Sequence, residues 1–169
     1  VKKAEKPNII FILTDDQRES QWNVLPEGRT EDGKPRNLTP TIDKMAKESV
    51  ILTRLHCPSP LSVPARFNYL TGQYASRATN DWFTDLHKIH AHTFVAQEPQ
   101  IIPETPTLAR QLKSLGYNTG FVGKNHSLKA EGWHKLPVDA DVTSKESVKQ
   151  LQRNDSLIKQ AFYKSGFDF

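Results

Sequence analysis

A single cysteine, Cys57, among 169 residues leaves no intrachain disulfide to form. That removes the usual covalent mark of an exported protein without excluding export. Long apolar runs are as scarce. The longest, Ile9-Ile10-Phe11-Ile12-Leu13, falls far short of the roughly 20 residues a membrane-spanning helix needs, so no membrane span is expected. The opening Val1-Lys2-Lys3-Ala4-Glu5-Lys6-Pro7 is charged and has no apolar h-region, so a secretion signal either never existed or was removed ahead of this sequence. Neither sign of charge dominates: 23 basic and 19 acidic residues are interspersed, for a net +4. The excess suits anionic ligands or describes an ordinary solvated surface, and no nucleic-acid motif accompanies it.

What is present is enough apolar residue, 36%, to build one globular domain. Residues 8–14 form a continuous apolar run between Pro7 and the pair Asp15-Asp16. This pattern predicts a central strand buried on both faces of a parallel sheet. Thr39-Pro40-Thr41-Ile42-Asp43-Lys44-Met45-Ala46 predicts a helix with Thr39 as N-cap and Pro40 at its first position. Thr105-Pro106-Thr107-Leu108 repeats that grammar, running to Leu115 and stopping at Gly116. Residues 50–55 and 117–122 read as further strands, and the polar or aperiodic stretches 17–37 and 81–103 as long loops. Strands alternating with helices imply an α/β fold, a mostly parallel central sheet with helices on both faces. Ligands in such folds sit beyond the carboxyl ends of the strands, where Asp15, Asp16, Lys124 and His126 fall.

The chemistry concentrates in Ser62-Val63-Pro64-Ala65-Arg66-Phe67-Asn68-Tyr69-Leu70-Thr71-Gly72. A serine stands at a Pro-led helix start with an arginine one turn on. Helix N-terminal N–H groups and a guanidinium fork suit a tetrahedral anion. On residue chemistry alone, Ser62 is equally read as a plain N-cap, Asp15-Asp16 as a polar loop start, and His126 as a loop histidine. Trp82, Trp133 and His134 could stack on a ring or simply pack.

The 62–72 stretch resembles the sulfatase signature: Cys or Ser, any residue, Pro, a small residue, Arg, then Leu-Thr-Gly. Ser62, Pro64, Ala65, Arg66 and Leu70-Thr71-Gly72 match in register. Residues 6–16 resemble the family's N-terminal metal-binding strand, 116–126 its Gly-Lys-aromatic-His segment, and Gly166-Phe167-Asp168-Phe169 the start of a further block. Ala65 stands where Ser is common, and Asn125 and Ser127 stand where an aromatic residue and Leu are usual. Cys57 is out of register and is read as a small buried or loop residue.

The resemblance implies a serine-type sulfatase of the alkaline phosphatase superfamily, with residues 1–169 forming the N-terminal part of its catalytic domain. Ser62 would be oxidised to formylglycine by a serine-type sulfatase-maturing enzyme. One hydroxyl of the aldehyde hydrate would attack sulfur, and the second would expel sulfate. Arg66 and Lys124 would neutralise charge, His126 would take the hydroxyl proton, and Asp15, Asp16 and Ser62 would hold Ca²⁺, with Mg²⁺ the less fitting ion. The expected substrate is a sulfated carbohydrate or another sulfate ester, and the expected setting is the bacterial periplasm or exterior. Further metal ligands, another histidine and another lysine would follow this segment, so the isolated chain is expected to be truncated and inactive. Two other readings stay open: a phosphodiesterase or phosphonate hydrolase using unmodified Ser62, and a noncatalytic sulfate- or glycan-binding fragment.

Overall fold

The computed structural model describes residues 6–92 and 99–169. The chain divides into two compact units, Val1–His56 and Cys57–Phe169.

In the first unit the expected helix forms as α1, Pro40–Lys47. Thr39 is its N-cap residue, but its hydroxyl turns to the Asp43 carboxylate at 3.2 Å instead of a backbone N–H. The preceding loop is ordered by one side chain. Asn23, 2% exposed, donates through its amide to Asn37 O at 2.7 Å, Thr39 Oγ1 at 3.0 Å and Asp43 Oδ2 at 2.9 Å. It also accepts from Asn37 N at 2.9 Å. The stretch 17–37 is thus a loop in outline, with short 3₁₀ turns at Glu19–Gln21 and Pro26–Gly28.

The second unit carries α2 (Ser62–Thr71), α3 (Asp81–His90), α4 (Leu108–Ser114) and α5 (Lys145–Lys164). Its core joins Phe67 of α2, Phe83 of α3 and Ala109 of α4 to Ile101, Leu128 and Phe167 from the connecting segments. Phe121, Phe162 and Phe167 extend this core as a cluster with ring centroids 4.9 to 5.8 Å apart. The tilted and edge-on geometries favour such a cluster.

The sheet is where structure and sequence part. Among the described residues there are two isolated bridges, Arg29 with Pro35 and Ile101 with Leu128, and no strand. Residues 8–14 leave Ile10 84% and Ile12 77% exposed, and residues 50–55 likewise form no strand. A central parallel strand is stable only when neighbours satisfy both its edges and layers cover both its faces, and the described residues supply neither. Residues 117–122 come nearest: Asp168 N donates to Thr119 O at 2.7 Å and Phe121 N to Phe169 O at 3.0 Å.

Three helices differ from the sequence reading, which expected none at α5, Lys145–Lys164. The stretch 81–103 forms α3 over its first ten residues; residues 93–98 lie outside the described part. Its buried apolar contribution is Phe83 alone, while Trp82 and Ile89 are exposed, so the apolar face is too narrow to announce a helix. α4 starts two residues later than its Thr-Pro pair suggests, because Thr107 is the working cap, accepting from Arg110 N at 3.2 Å. Gly116, φ 79°, ends it as expected.

α5 is held by Thr107 Oγ1 donating to Ser165 O at 2.6 Å and by a carboxylate clamp just beyond it. Asp168 meets Lys113 Nζ at 2.6 Å and accepts from Thr119 N at 2.8 Å and Thr119 Oγ1 at 3.0 Å. Lys113 and the Thr119 donors hold the Asp168 carboxyl down from 3.8 to about 2. A depressed carboxyl contributes stability above its unfolded-state value that disappears as pH falls through the folded value. The melting temperature should therefore drop between about pH 4 and about pH 2. Asp168→Asn should lower it at neutral pH and flatten that acid limb; an unaltered limb would show that the clamp does not couple to folding. In the first unit, Asn23→Ala strands several partners, and urea unfolding should report a loss of about 2 to 3 kcal/mol.

Candidate active site

α2 opens without a capping side chain. Leu61 is the N-cap residue, in extended conformation, and Ser62 is the first helical residue, not the cap. The Ser62 hydroxyl is therefore not spent on capping. It accepts a hydrogen bond from Arg66 Nε, one turn on, at 3.1 Å. Four residues is the helical spacing that stacks two side chains on one face. Arg66 also donates through Nη1 to Lys124 O at 3.3 Å, so one guanidinium joins the start of α2 to a loop 58 residues away.

That loop, 123–128, is shaped by short polar side chains. Gly123 has φ 107°, a left-handed backbone that a side chain would strain. Asn125 Oδ1 accepts from Leu128 N at 3.0 Å, closing the turn. Ser127, 1% exposed, donates to Val63 O at 3.1 Å, a second tie to the first turn of α2. Ile101 N donates to Ser127 O at 2.6 Å and backs the loop from the core side. Lys124 and His126 stand exposed between these anchors.

The structure thus brings Ser62, Arg66 and the Lys124–His126 loop together in one unit. Asp15 and Asp16 belong to the other unit, exposed, with Asp16 at φ 54°, a left-handed conformation that aspartate tolerates better than most residues. Two adjacent carboxylates are hard oxygen donors of the kind Ca²⁺ and Mg²⁺ take. Among the described residues no group of three or more His, Cys, Asp or Glu that could hold a metal ion comes together. Cys57 lies exposed in a loop, its thiol donating to Ser59 O at 3.0 Å. It also bonds the Tyr69 phenol, whose pKa that bond raises.

Sequence reasoning missed Ser127 and Asn125 as positioning residues, having treated them only as departures from a pattern. The available signal was local: Asn two residues after a glycine is a turn former through its side-chain oxygen.

The sulfatase family profile matches residues 7–155. An N-acetylgalactosamine-6-O-sulfatase of Bacteroides thetaiotaomicron is 34% identical over 128 residues, 74% of this chain and 21% of that protein. An ulvan-active sulfatase of Formosa agariphila is 34% identical over 121 residues, 72% of this chain and 20% of that protein. A steryl-sulfatase of Mus musculus is 31% identical over 120 residues, 71% of this chain and 18% of that protein. No solved structure matches. The chain belongs to the sulfatase family, and it spans about a fifth of the length of the curated relatives it matches. Membership implies an α/β fold of the alkaline phosphatase type; the described residues contain helices and no strand.

Arg66→Ala should release the loop from α2, and hydrogen exchange at the amides of residues 124–128 should accelerate while the amides of α5 hold their rates. Arg66→Lys should restore little, because an ammonium on a flexible stem lacks the fork that reaches both oxygens. Unchanged exchange in Arg66→Ala would mean that Ser127 alone fixes the loop.

Proposed function

We propose that this chain is the nucleophile-bearing part of a sulfatase that hydrolyses a sulfate ester on a carbohydrate. The observation that carries the reading is Arg66 linking Ser62 Oγ to the Lys124 carbonyl. It gathers a hydroxyl, a guanidinium and an ammonium-bearing loop at a helix N-terminus, where an anion is stabilised by backbone N–H groups and the helix dipole.

The same contact supports conversion of Ser62. Arg66 donates to the hydroxyl oxygen and so cannot serve as the general base that an unmodified serine nucleophile would use. Oxidation of the Ser62 Cβ–Oγ unit to an aldehyde removes two hydrogen atoms, passed to the electron acceptor of a sulfatase-maturing enzyme. The hydrated aldehyde then offers two hydroxyls. As the first loses its proton and bonds to sulfur, the ester S–O bond breaks, and the leaving oxygen takes up a proton and departs as the alcohol. His126 takes the proton of the second, the carbonyl re-forms, and sulfate departs. Arg66 and Lys124 offset charge on the sulfate oxygens through these steps. Asp15 and Asp16 would contribute oxygen ligands to a divalent cation, Ca²⁺ in preference to Mg²⁺.

The named activities of the bacterial relatives on N-acetylgalactosamine 6-sulfate and on ulvan support a sulfated glycan as substrate class, with a periplasmic or secreted setting in a bacterium. Residues 1–169 would then be the N-terminal part of a longer catalytic domain, inactive by itself.

The longest natural form of the protein, purified from its own host, should hydrolyse 4-nitrophenyl sulfate faster than bis(4-nitrophenyl) phosphate or a phosphonate monoester. Chelation should abolish that activity and Ca²⁺ restore it. Ser62→Ala should lower kcat by about 10³-fold or more. Preference for the phosphodiester would replace this reading with that of a phosphohydrolase using unmodified Ser62.

A further inference from the structure

The end of α3 carries a pair of imidazoles that the Ser62 site does not use. The helix stops at His90, and its C-cap residue, Ala91, has φ 55°, a left-handed conformation that alanine adopts only at a cost. Ala91 N donates to His87 O at 2.8 Å, which fixes the turn. His92 is thereby folded back on the helix end. Its Nδ1 lies 2.7 Å from His90 O, and the His90 and His92 rings have centroids 6.0 Å apart. Both residues are exposed.

A carbonyl oxygen can only accept, so the 2.7 Å contact requires a proton on His92 Nδ1. In the neutral ring the lone pair then stands on Nε2. A ring N–H donating to a backbone carbonyl is the arrangement that sets the tautomer and orientation of metal-ligating histidines. The ring spacing agrees. With Zn–N bonds of about 2.0 to 2.1 Å, two imidazoles on one ion have centres roughly 5 to 6.5 Å apart, and the observed 6.0 Å falls within that range. An ion held there would also lie at the negative end of the α3 dipole, which favours a cation. The donors are two ring nitrogens, a set that suits Zn²⁺, Cu²⁺ or Ni²⁺ and serves Ca²⁺ and Mg²⁺ poorly.

We infer that His90 and His92 form a two-imidazole site for a transition-metal ion of the Zn²⁺ class, with water in the remaining coordination positions, and that the bound ion ties the last turn of α3 to the residue that follows its cap. The site differs from the Asp15-Asp16 pair in donor chemistry, nitrogen against oxygen, so the two are separable by the ion each prefers.

The test is calorimetric titration of zinc chloride into the longest natural form of the protein, in excess Ca²⁺ so that hard-oxygen donors are already occupied. Zinc should bind at a site for which Ca²⁺ does not compete, and it should raise Tm, as a ligand of the folded state does. His90→Ala and His92→Ala should each weaken that binding about tenfold or more. His92→Asn keeps an N–H that can reach the His90 carbonyl and lacks the ring lone pair. It should retain the zinc-free Tm and lose both the binding and the rise. Zinc affinity that survives in any of the three variants, affinity that Ca²⁺ displaces, or a Tm that zinc leaves unchanged in the unsubstituted protein would each overturn the assignment and leave the pair as a helix cap. None of these readouts depends on sulfatase turnover.

Discussion

One guanidinium organises the candidate active site of the second unit. Arg66 faces Ser62 because the two are a helical turn apart, and it reaches the Lys124 carbonyl because Gly123 lets the incoming chain turn toward α2. Without that bridge, Ser62 would be a first-turn serine on an uncapped helix, and Lys124 and His126 would be solvated residues on a surface loop. The contact does double duty in a chemical sense as well. It places positive charge beside the Ser62 hydroxyl, and as a donor it cannot act as the base that an unmodified serine nucleophile would use.

The support for the bridge is unlike the bridge itself. Ser127, Asn125 and Ile101 place the loop through short, largely buried hydrogen bonds, while the groups that would meet substrate stay exposed. Buried polar ties of this kind specify geometry because leaving any one partner unsatisfied is costly. The same logic recurs at Asn23 in the first unit and at the Asp168 clamp in the second, each a single polar side chain fixing several backbone segments.

Much of the site was legible in the sequence because its parts are local. Ser62 and Arg66 are four residues apart, α1 and α4 announce themselves by Thr, Pro and Gly, and Lys124-Asn125-His126 follows directly on a glycine. What could not be read was nonlocal. No spacing rule says that Ser127 will donate to Val63, 64 positions away. α3 and α5 are dominated by charged and exposed residues, so their periodicity is faint, although Ser144 accepting from Ser147 N marks the start of α5. The strand expected at 8–14 is not formed among the described residues for a different reason. Its composition describes an environment, burial on both faces of a sheet, and a segment's own residues cannot provide that environment.

The central claim is that Ser62 is the precursor of the catalytic group. The most direct measurement is mass spectrometry of the peptide spanning Ser62, isolated from the native host with its maturing enzyme present. A mass about 2 Da below that of the serine peptide, the signature of an alcohol oxidised to an aldehyde, is the result this account predicts. A peptide wholly at the serine mass would contradict it.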